Sequence, residues 1–235
     1  FANAVAKVWG GQPRPFEYDP RVKKLFGVGG FGFPSNHAQS TLVVWGYLAL
    51  YYRRAWLWGL AGVLLVMVSL SRVYLGLHFP TDVAGGLALG AAVMLLYLWL
   101  EPGAEAWLVA RPLAVQCGLA LLVPGALFAL FPTADEQAVT SLALAAGMGV
   151  GLACERRWVS FASDGRWRLR VLRLVLGVAV LVGLRFGLKA ALAGMEPEPL
   201  ARFVRYAVIG LVLAWPLPWA FVTLRLAGRR VVAVA

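Results

Sequence analysis

The sequence predicts an all-α fold, a polytopic transmembrane helical bundle, on three observations. First, 61% of the 235 residues are hydrophobic and only 14% are charged, where a soluble domain carries about 25% charged residues. Second, apolar stretches long enough to cross about 30 Å of hydrocarbon recur along the whole chain. Third, the connections between these stretches are mostly short, so neighbouring spans are expected to run antiparallel in one bundle.

Taken in order, residues 1–6 (FANAVA) read as the tail of a helix, and with Phe1 as the first residue further helices are expected upstream. Seven spans follow, at 37–52, 55–71, 82–100, 112–131, 136–154, 171–194 and 204–224. Pro34 and Ser35 precede the first. Trp56 and Trp58 open the second as interfacial anchors. Pro80, suited to a helix's first turn, leads into the third. The fourth and fifth hold the two cysteines, Cys117 and Cys154, whose thiols are expected to pack in apolar surroundings without pairing. The sixth carries Arg185 and Lys189 four residues apart on one face. They read either as snorkelling side chains or as a positive field around a second phosphate or zwitterionic headgroup. In the last span AWPLPWA (214–220) should produce a kink, and VPG (123–125) marks a candidate kink in the fourth, with simple helix irregularity as the preferred account of both.

The net charge of +11 does not indicate nucleic-acid binding, because the basic residues cluster at span ends, where they act as orientation signals and headgroup contacts. Seven crossings put the loops at 7–36, 72–81, 132–135 and 195–203 on one face of the membrane. Twelve arginines fall on the other face: Arg53, Arg54, Arg111, Arg156, Arg157, Arg166, Arg168, Arg170, Arg173, Arg225, Arg229 and Arg230. The positive-inside rule makes that face cytoplasmic. The expected location is a bacterial inner membrane, with the first face toward the periplasm or exterior.

Three polar clusters lie on that first face: KVWGGQPRP with Lys7 and Arg14, GFPSNH with Ser35, Asn36 and His37, and SRVYLGLHFPTD with Arg72, His78 and Asp82. The chain has two histidines, His37 and His78, and both belong to these clusters. Histidine is the usual proton-transfer residue near neutral pH. Lys7, Arg14 and Arg72 are cations that an oxygen-rich anion such as phosphate would satisfy. The start of the helix near His37 offers free backbone N–H groups, and the glycine run at 27–33 lets backbone approach a ligand. Asp82 in the turn after Pro80 can hold one nitrogen of His78, fixing the tautomer and leaving the other nitrogen free to attack. His37 is then available to protonate a leaving oxygen. Each residue alone has a plainer account: snorkelling for Lys7 and Arg14, a helix-end bond for His37, a helix N-terminal charge for Asp82. The joint spacing favours the phosphate site. Ser71 reads as a packing or backbone-bonding residue.

Lys7 with Arg14-Pro15, Pro34-Ser35-Asn36-His37, and Ser71-Arg72 with His78 and Asp82 together resemble the three motifs of the type 2 phosphatidic acid phosphatase superfamily, which also includes glucose-6-phosphatase and vanadium haloperoxidases. The resemblance covers roughly residues 1–100, the C-terminal part of the family's catalytic core. Residues 101–235 form a further transmembrane extension, similar to that of sphingosine phosphate phosphatases. The resemblance implies metal-independent hydrolysis of a lipid phosphomonoester or diphosphate through a phosphohistidine. His78 would be the nucleophile, Asp82 its orienting partner and His37 the acid and then base; Lys7, Arg14, Ser35, Asn36 and Arg72 would hold the phosphoryl oxygens. Asn36 stands where the family most often has glycine, and its backbone N–H can still serve a phosphate. No cofactor and no metal are expected. The expected partners are a lipid phosphate substrate and membrane lipids, with the oligomeric state open. Phosphatidic acid, phosphatidylglycerol phosphate, a polyprenyl diphosphate and a sphingoid base phosphate all remain candidate substrates. A lipid phosphotransferase using the same intermediate and a non-catalytic lipid transporter on the same fold are the alternatives.

Overall fold

The computed structural model describes residues 1–23, 25, 29–130 and 135–230, and they are almost entirely helical. Lys24, residues 27–28 of the glycine run, the end of the fourth span at 131 and most of the 132–135 connection lie outside the described residues. The chain divides into two compact units, Phe1–Ala106 and Trp107–Ala235.

In the first unit, α1 (Ala2–Gly10) is stopped by Gly11 and followed by the single turn α2 (Pro15–Tyr18). Helices α3 (Asn36–Tyr52) and α4 (Ala55–Tyr74) pack together across the connection Arg53–Arg54. Helix α5 begins at Pro80 and runs to Val109, past the end of the unit. Helices α3 and α5 are fastened at both ends. At one end the Ser35 N–H donates to the Asp82 carbonyl at 2.9 Å. At the other, the Tyr47 hydroxyl donates to Glu101 Oε1 at 3.0 Å, and the same oxygen accepts from Tyr97 at 2.8 Å. Gly86 lets the two backbones meet, since a Cβ there would collide with the Ser35 carbonyl oxygen. Small residues four apart serve this close approach in membrane helices. Gly90 repeats the contact one turn on, against the Gln39 carbonyl.

In the second unit, α6 (Leu113–Leu130) and α9 (Glu198–Ala214) pack against α7 (Glu136–Trp158). A Cβ at Gly147 of α7 would collide with the Ala207 carbonyl of α9. Helix α8 (Trp167–Ala191) lies beside α9, and α10 (Pro216–Thr223) follows it. A two-residue antiparallel pairing of β1 (Phe161–Ala162) with β2 (Gly228–Arg229) holds the tail after α10 to the segment before α8. The buried Arg173 donates to the carbonyls of Ala162, Ser163 and Asp164 at 3.2, 2.8 and 2.9 Å.

Among the described residues, six helices are long and apolar enough to cross a membrane: Ala55–Tyr74, Pro80–Val109, Leu113–Leu130, Glu136–Trp158, Trp167–Ala191 and Glu198–Thr223. The chain is an integral membrane protein. The remaining expected span, 37–52, forms α3, but its 17 residues make it shorter than these six. Its first two turns carry Asn36, His37, Gln39, Ser40 and Thr41 in place of apolar groups. The last expected span starts earlier than 204 and is interrupted at Trp215, where Pro216 cannot supply the N–H that would continue α9. The VPG stretch causes no break: α6 runs through Pro124.

Candidate active site

The connection from α4 to α5 presents a histidine and an aspartate to each other. The Arg72 carbonyl accepts from the backbone N–H groups of Leu77 and His78 at 3.1 and 3.3 Å, which folds the chain back under α4. Pro80 then starts α5 and sets Asp82 in its first turn, with no exposed surface. Asp82 Oδ2 accepts the Phe79 N–H at 2.9 Å and lies 3.3 Å from His78 Nδ1, at the long end of hydrogen-bond range. The acceptor-only carboxylate assigns the ring proton to Nδ1. His78 Nε2 is left with its lone pair, and it faces Arg14 Nη1 at 3.4 Å.

Arg14 is itself buried and fastened on three sides: Nε to Gly30 O at 2.9 Å, Nη2 to Gly29 O at 3.1 Å and Nη1 to Leu77 O at 3.0 Å. Lys7 reaches the same loop, donating to the carbonyls of Phe31 at 2.5 Å and Gly32 at 3.4 Å. Gly32 leaves little room for a side chain here. A Cβ would stand 3.0 Å from Asp82 Oδ2 and 3.3 Å from the Pro13 carbonyl.

His78 is 4% exposed. Burial first, and then the positive fields of Arg14, Lys7 and His37, push its imidazole down to about 3, against a backbone hydrogen bond to Gly32 that acts the other way. It is therefore neutral at pH 7. Burial also lowers the Arg14 guanidinium, with Glu17 and Asp82 acting to raise it. It remains a cation because arginine does not lose its proton in proteins. An unprotonated ring nitrogen in a positive field is suited to attack on an anionic electrophile.

The other expected site residues are placed unequally. His37 is exposed near the start of α3, within the electrostatic reach of Arg72, Arg14 and Lys7, and its own charge reaches His78. Arg72 is half-buried and bonds through Nε to Ser71 Oγ at 3.2 Å, while that hydroxyl donates to the Val68 carbonyl at 2.7 Å. Asn36 opens α3 and accepts from Ser40 Oγ at 3.3 Å. Ser35 is fully buried as the residue before α3; its N–H is taken by Asp82, and its Oγ has no hydrogen-bond partner among the described residues. Among the described residues no group of three or more His, Cys, Asp or Glu gathers as metal ligands.

Two supporting features escaped sequence reasoning. Asn3 and Gln39, both buried, pair through Nδ2 and Oε1 at 2.7 Å, and Asn3 also donates to the Pro34 carbonyl at 3.3 Å. This ties α1 to the Pro-Ser-Asn-His segment. The polar Asn3 inside FANAVA, and Gln39 one turn beyond Ser35, were the available signals. The second feature is Gly86, whose signal was the spacing of Gly86 and Gly90 in α5.

Comparison with known proteins adds to this geometry. The family model of the PAP2 superfamily matches residues 1–105, and that of the PAP2 superfamily phosphatase transmembrane extension matches residues 139–229. Phosphatidylglycerophosphatase B of Bacillus subtilis is 35% identical over 103 residues, covering 40% of this chain and 48% of the relative. Undecaprenyl-diphosphatase of Sulfolobus acidocaldarius is 34% identical over 99 residues, 41% of this chain and 47% of the relative. Decaprenylphosphoryl-5-phosphoribose phosphatase of Mycobacterium tuberculosis is 49% identical over 61 residues, 26% of this chain and 32% of the relative. The chain thus spans about half or less of the length of these relatives. No solved structure matches. The stretches matched by the two family models include the His78 site in the first unit and most of the helices of the second, and the chain belongs to the PAP2, or type 2 phosphatidic acid phosphatase, superfamily.

Proposed function

We propose that the chain is a membrane-embedded lipid phosphate phosphatase that works through a phosphohistidine. The observation that carries this reading is the division of labour at His78: Nδ1 lies against Asp82 at 3.3 Å, and Nε2 faces a buried guanidinium at 3.4 Å. In the first step Nε2 attacks phosphorus, the N–P bond forms and the bond from phosphorus to the lipid oxygen breaks. That oxygen leaves with a proton from His37. Lys7, Arg14 and Arg72 neutralise the charge spread over the phosphoryl oxygens, while the Asp82 carboxylate balances the cationic phosphohistidine ring. In the second step water attacks phosphorus, His37 takes its proton, and inorganic phosphate leaves as Nε2 recovers its lone pair. No step requires a metal.

The setting supports a lipid phosphate as substrate. The site lies at the ends of membrane helices, and all three relatives named above bear the names of phosphatases acting on lipid-linked phosphates. A lipid can approach laterally with its phosphate drawn to the cations and its chains left in hydrocarbon. The test is release of inorganic phosphate from a panel of lipid monophosphates and diphosphates, scored against phosphorylated acceptor. His78→Ala should abolish release while the protein still inserts and folds. Wild-type release by this variant would refute the reading.

We further propose that the site faces the periplasm or exterior. Side by side, the face carrying the site has seven basic residues outside the phosphate site, Arg21, Lys23, Lys24, Arg185, Lys189, Arg202 and Arg205, against twelve arginines on the other. A single cysteine at the exposed Gly29, with Cys117 and Cys154 replaced, should react with a membrane-impermeant thiol reagent in intact cells. Reaction only after membrane rupture would reverse the orientation and leave the chemistry standing.

A further inference from the structure

The second unit buries an arginine that the His78 chemistry does not use. Arg205 lies seven residues into α9 from Glu198, about 10 Å along the helix, and is 8% exposed. Among the described residues it makes no hydrogen bond or ion pair, and its Nε is a buried donor without a partner. Its guanidinium stands 5.3 Å from the centroid of the Tyr206 ring. A second arginine meets the same tyrosine from the neighbouring helix. Arg185 lies six residues before the end of α8, at matching depth, donates to the Tyr206 hydroxyl and stands 5.8 Å from the ring centroid.

The acids at this end of the unit are engaged elsewhere. Glu136 and Glu198 both accept from Arg202, at 2.7 and 2.8 Å. Glu196 accepts the Glu198 N–H at 3.1 Å, and Asp135 accepts the Ala138 N–H at the start of α7 at 2.8 Å. Arginine cannot shed its proton to escape burial, and a buried charge lacking a counter-charge is costly. Snorkelling accounts for Arg185, which is exposed. It does not account for Arg205, whose Nε is buried in protein. Attraction to the tyrosine face offsets only part of the cost.

An anion with several oxygens would answer this buried charge. Two guanidinium groups offer planar forks for such a group, and the Tyr206 hydroxyl, accepting from Arg185, keeps its own proton to donate. With α9 entering the bilayer at Glu198, this depth falls near the boundary between headgroups and hydrocarbon, which lies about 5–8 Å inside the surface of a bilayer about 40–45 Å thick. The α8 surface beside Arg185 is apolar and open, with Val182 48% and Phe186 66% exposed, a face for acyl chains. We propose that Arg185, Arg205 and Tyr206 form an anion site, held wholly within the second unit, that takes the phosphate of an anionic phospholipid.

The test uses the full chain in phosphatidylcholine micelles, with thermal unfolding followed as phosphatidylglycerol is titrated in. Phosphatidylglycerol should raise the wild-type Tm by several degrees. Arg185→Gln should require about tenfold more of it for the same rise, the loss of one charge-assisted contact, with an unchanged Tm in phosphatidylcholine alone. Arg205→Lys should retain most of the response, and Arg205→Gln should lose it. If Arg205→Gln does not fold, the exposed Arg185 variant still decides. Inorganic phosphate in the same assay should give no shift that depends on Arg185. An equal phosphatidylglycerol response in wild type and Arg185→Gln would overturn the site. An Arg185-dependent response to inorganic phosphate without one to phosphatidylglycerol would overturn the lipid source.

Discussion

Acidification should destabilise this protein through one residue. His78 is held down to about 3 in the folded chain, whereas an unfolded histidine titrates near about 6.5. Below the unfolded value the unfolded chain takes up a proton that the folded chain refuses, so stability falls as pH falls. His78 costs little above about pH 6.5, and its cost grows until about pH 3, where the folded ring protonates too. At about pH 5 the gap to the unfolded value is about 1.5 pH units, which corresponds to about 2 kcal/mol. Any folded value under about 4 gives nearly the same result, because the folded ring is neutral at pH 5 in each case. The comparison is between wild type and His78→Asn, which cannot titrate but keeps a donor for Asp82. Unfolding free energies from denaturant titration in micelles, taken at about pH 7 and about pH 5, should show the wild type losing about 2 kcal/mol more than the variant. His37 and the carboxylates contribute to both proteins and cancel. Parallel stability curves would mean that His78 is not held neutral, and would remove the basis for its action as a nucleophile at low pH.

Other outcomes follow from the same geometry. Asp82→Asn should lower kcat by up to about ten-thousandfold with little change in KM, since it loosens the orientation of His78 without removing the nucleophile; a wild-type rate would count against the pairing. Gly86→Ala should cost about 1–3 kcal/mol and reduce the rate, because the new Cβ meets the Ser35 carbonyl; an unchanged melting profile and turnover would show that α3 and α5 can separate freely. Chelator should leave phosphate release unchanged and vanadate should inhibit it. A rate lost to chelator and restored by Mg²⁺ would displace the cation-cradle mechanism.

The sequence makes some of this legible and hides the rest for physical reasons. Long apolar runs announce membrane helices because hydrocarbon admits little else, and five of the six crossing helices begin within four residues of the expected spans. The α9 start is missed because Glu198 and Arg202 read as loop charges. The contact of His78 with Asp82 is a spacing of four across a helix start, a local matter that Pro80 betrays. The approach of Arg14 to His78 bridges 64 positions, and only the shared chemistry of the motifs hinted at it. Ser35 could not be placed by composition: the same letter serves as a ligand or as a backbone anchor, and here its N–H is spent on Asp82. Gly86 carries no side chain to read, so its importance emerges only from what approaches it.

The paired fastening of α3 to α5 bears on how this protein meets a changing bilayer. Thickening or thinning a membrane is ordinarily absorbed by tilting one helix against another. Here tilt about either end must break a bond: Ser35 to Asp82 at one end, Tyr47 to Glu101 at the other. The two helices therefore respond as one girder. His37 rides near the head of one beam, and the orienting partner of His78 at the head of the other. Lateral pressure that would shear two independent helices should leave these heads aligned, so the spacing between the two imidazoles is a property of the backbone more than of the lipid around it.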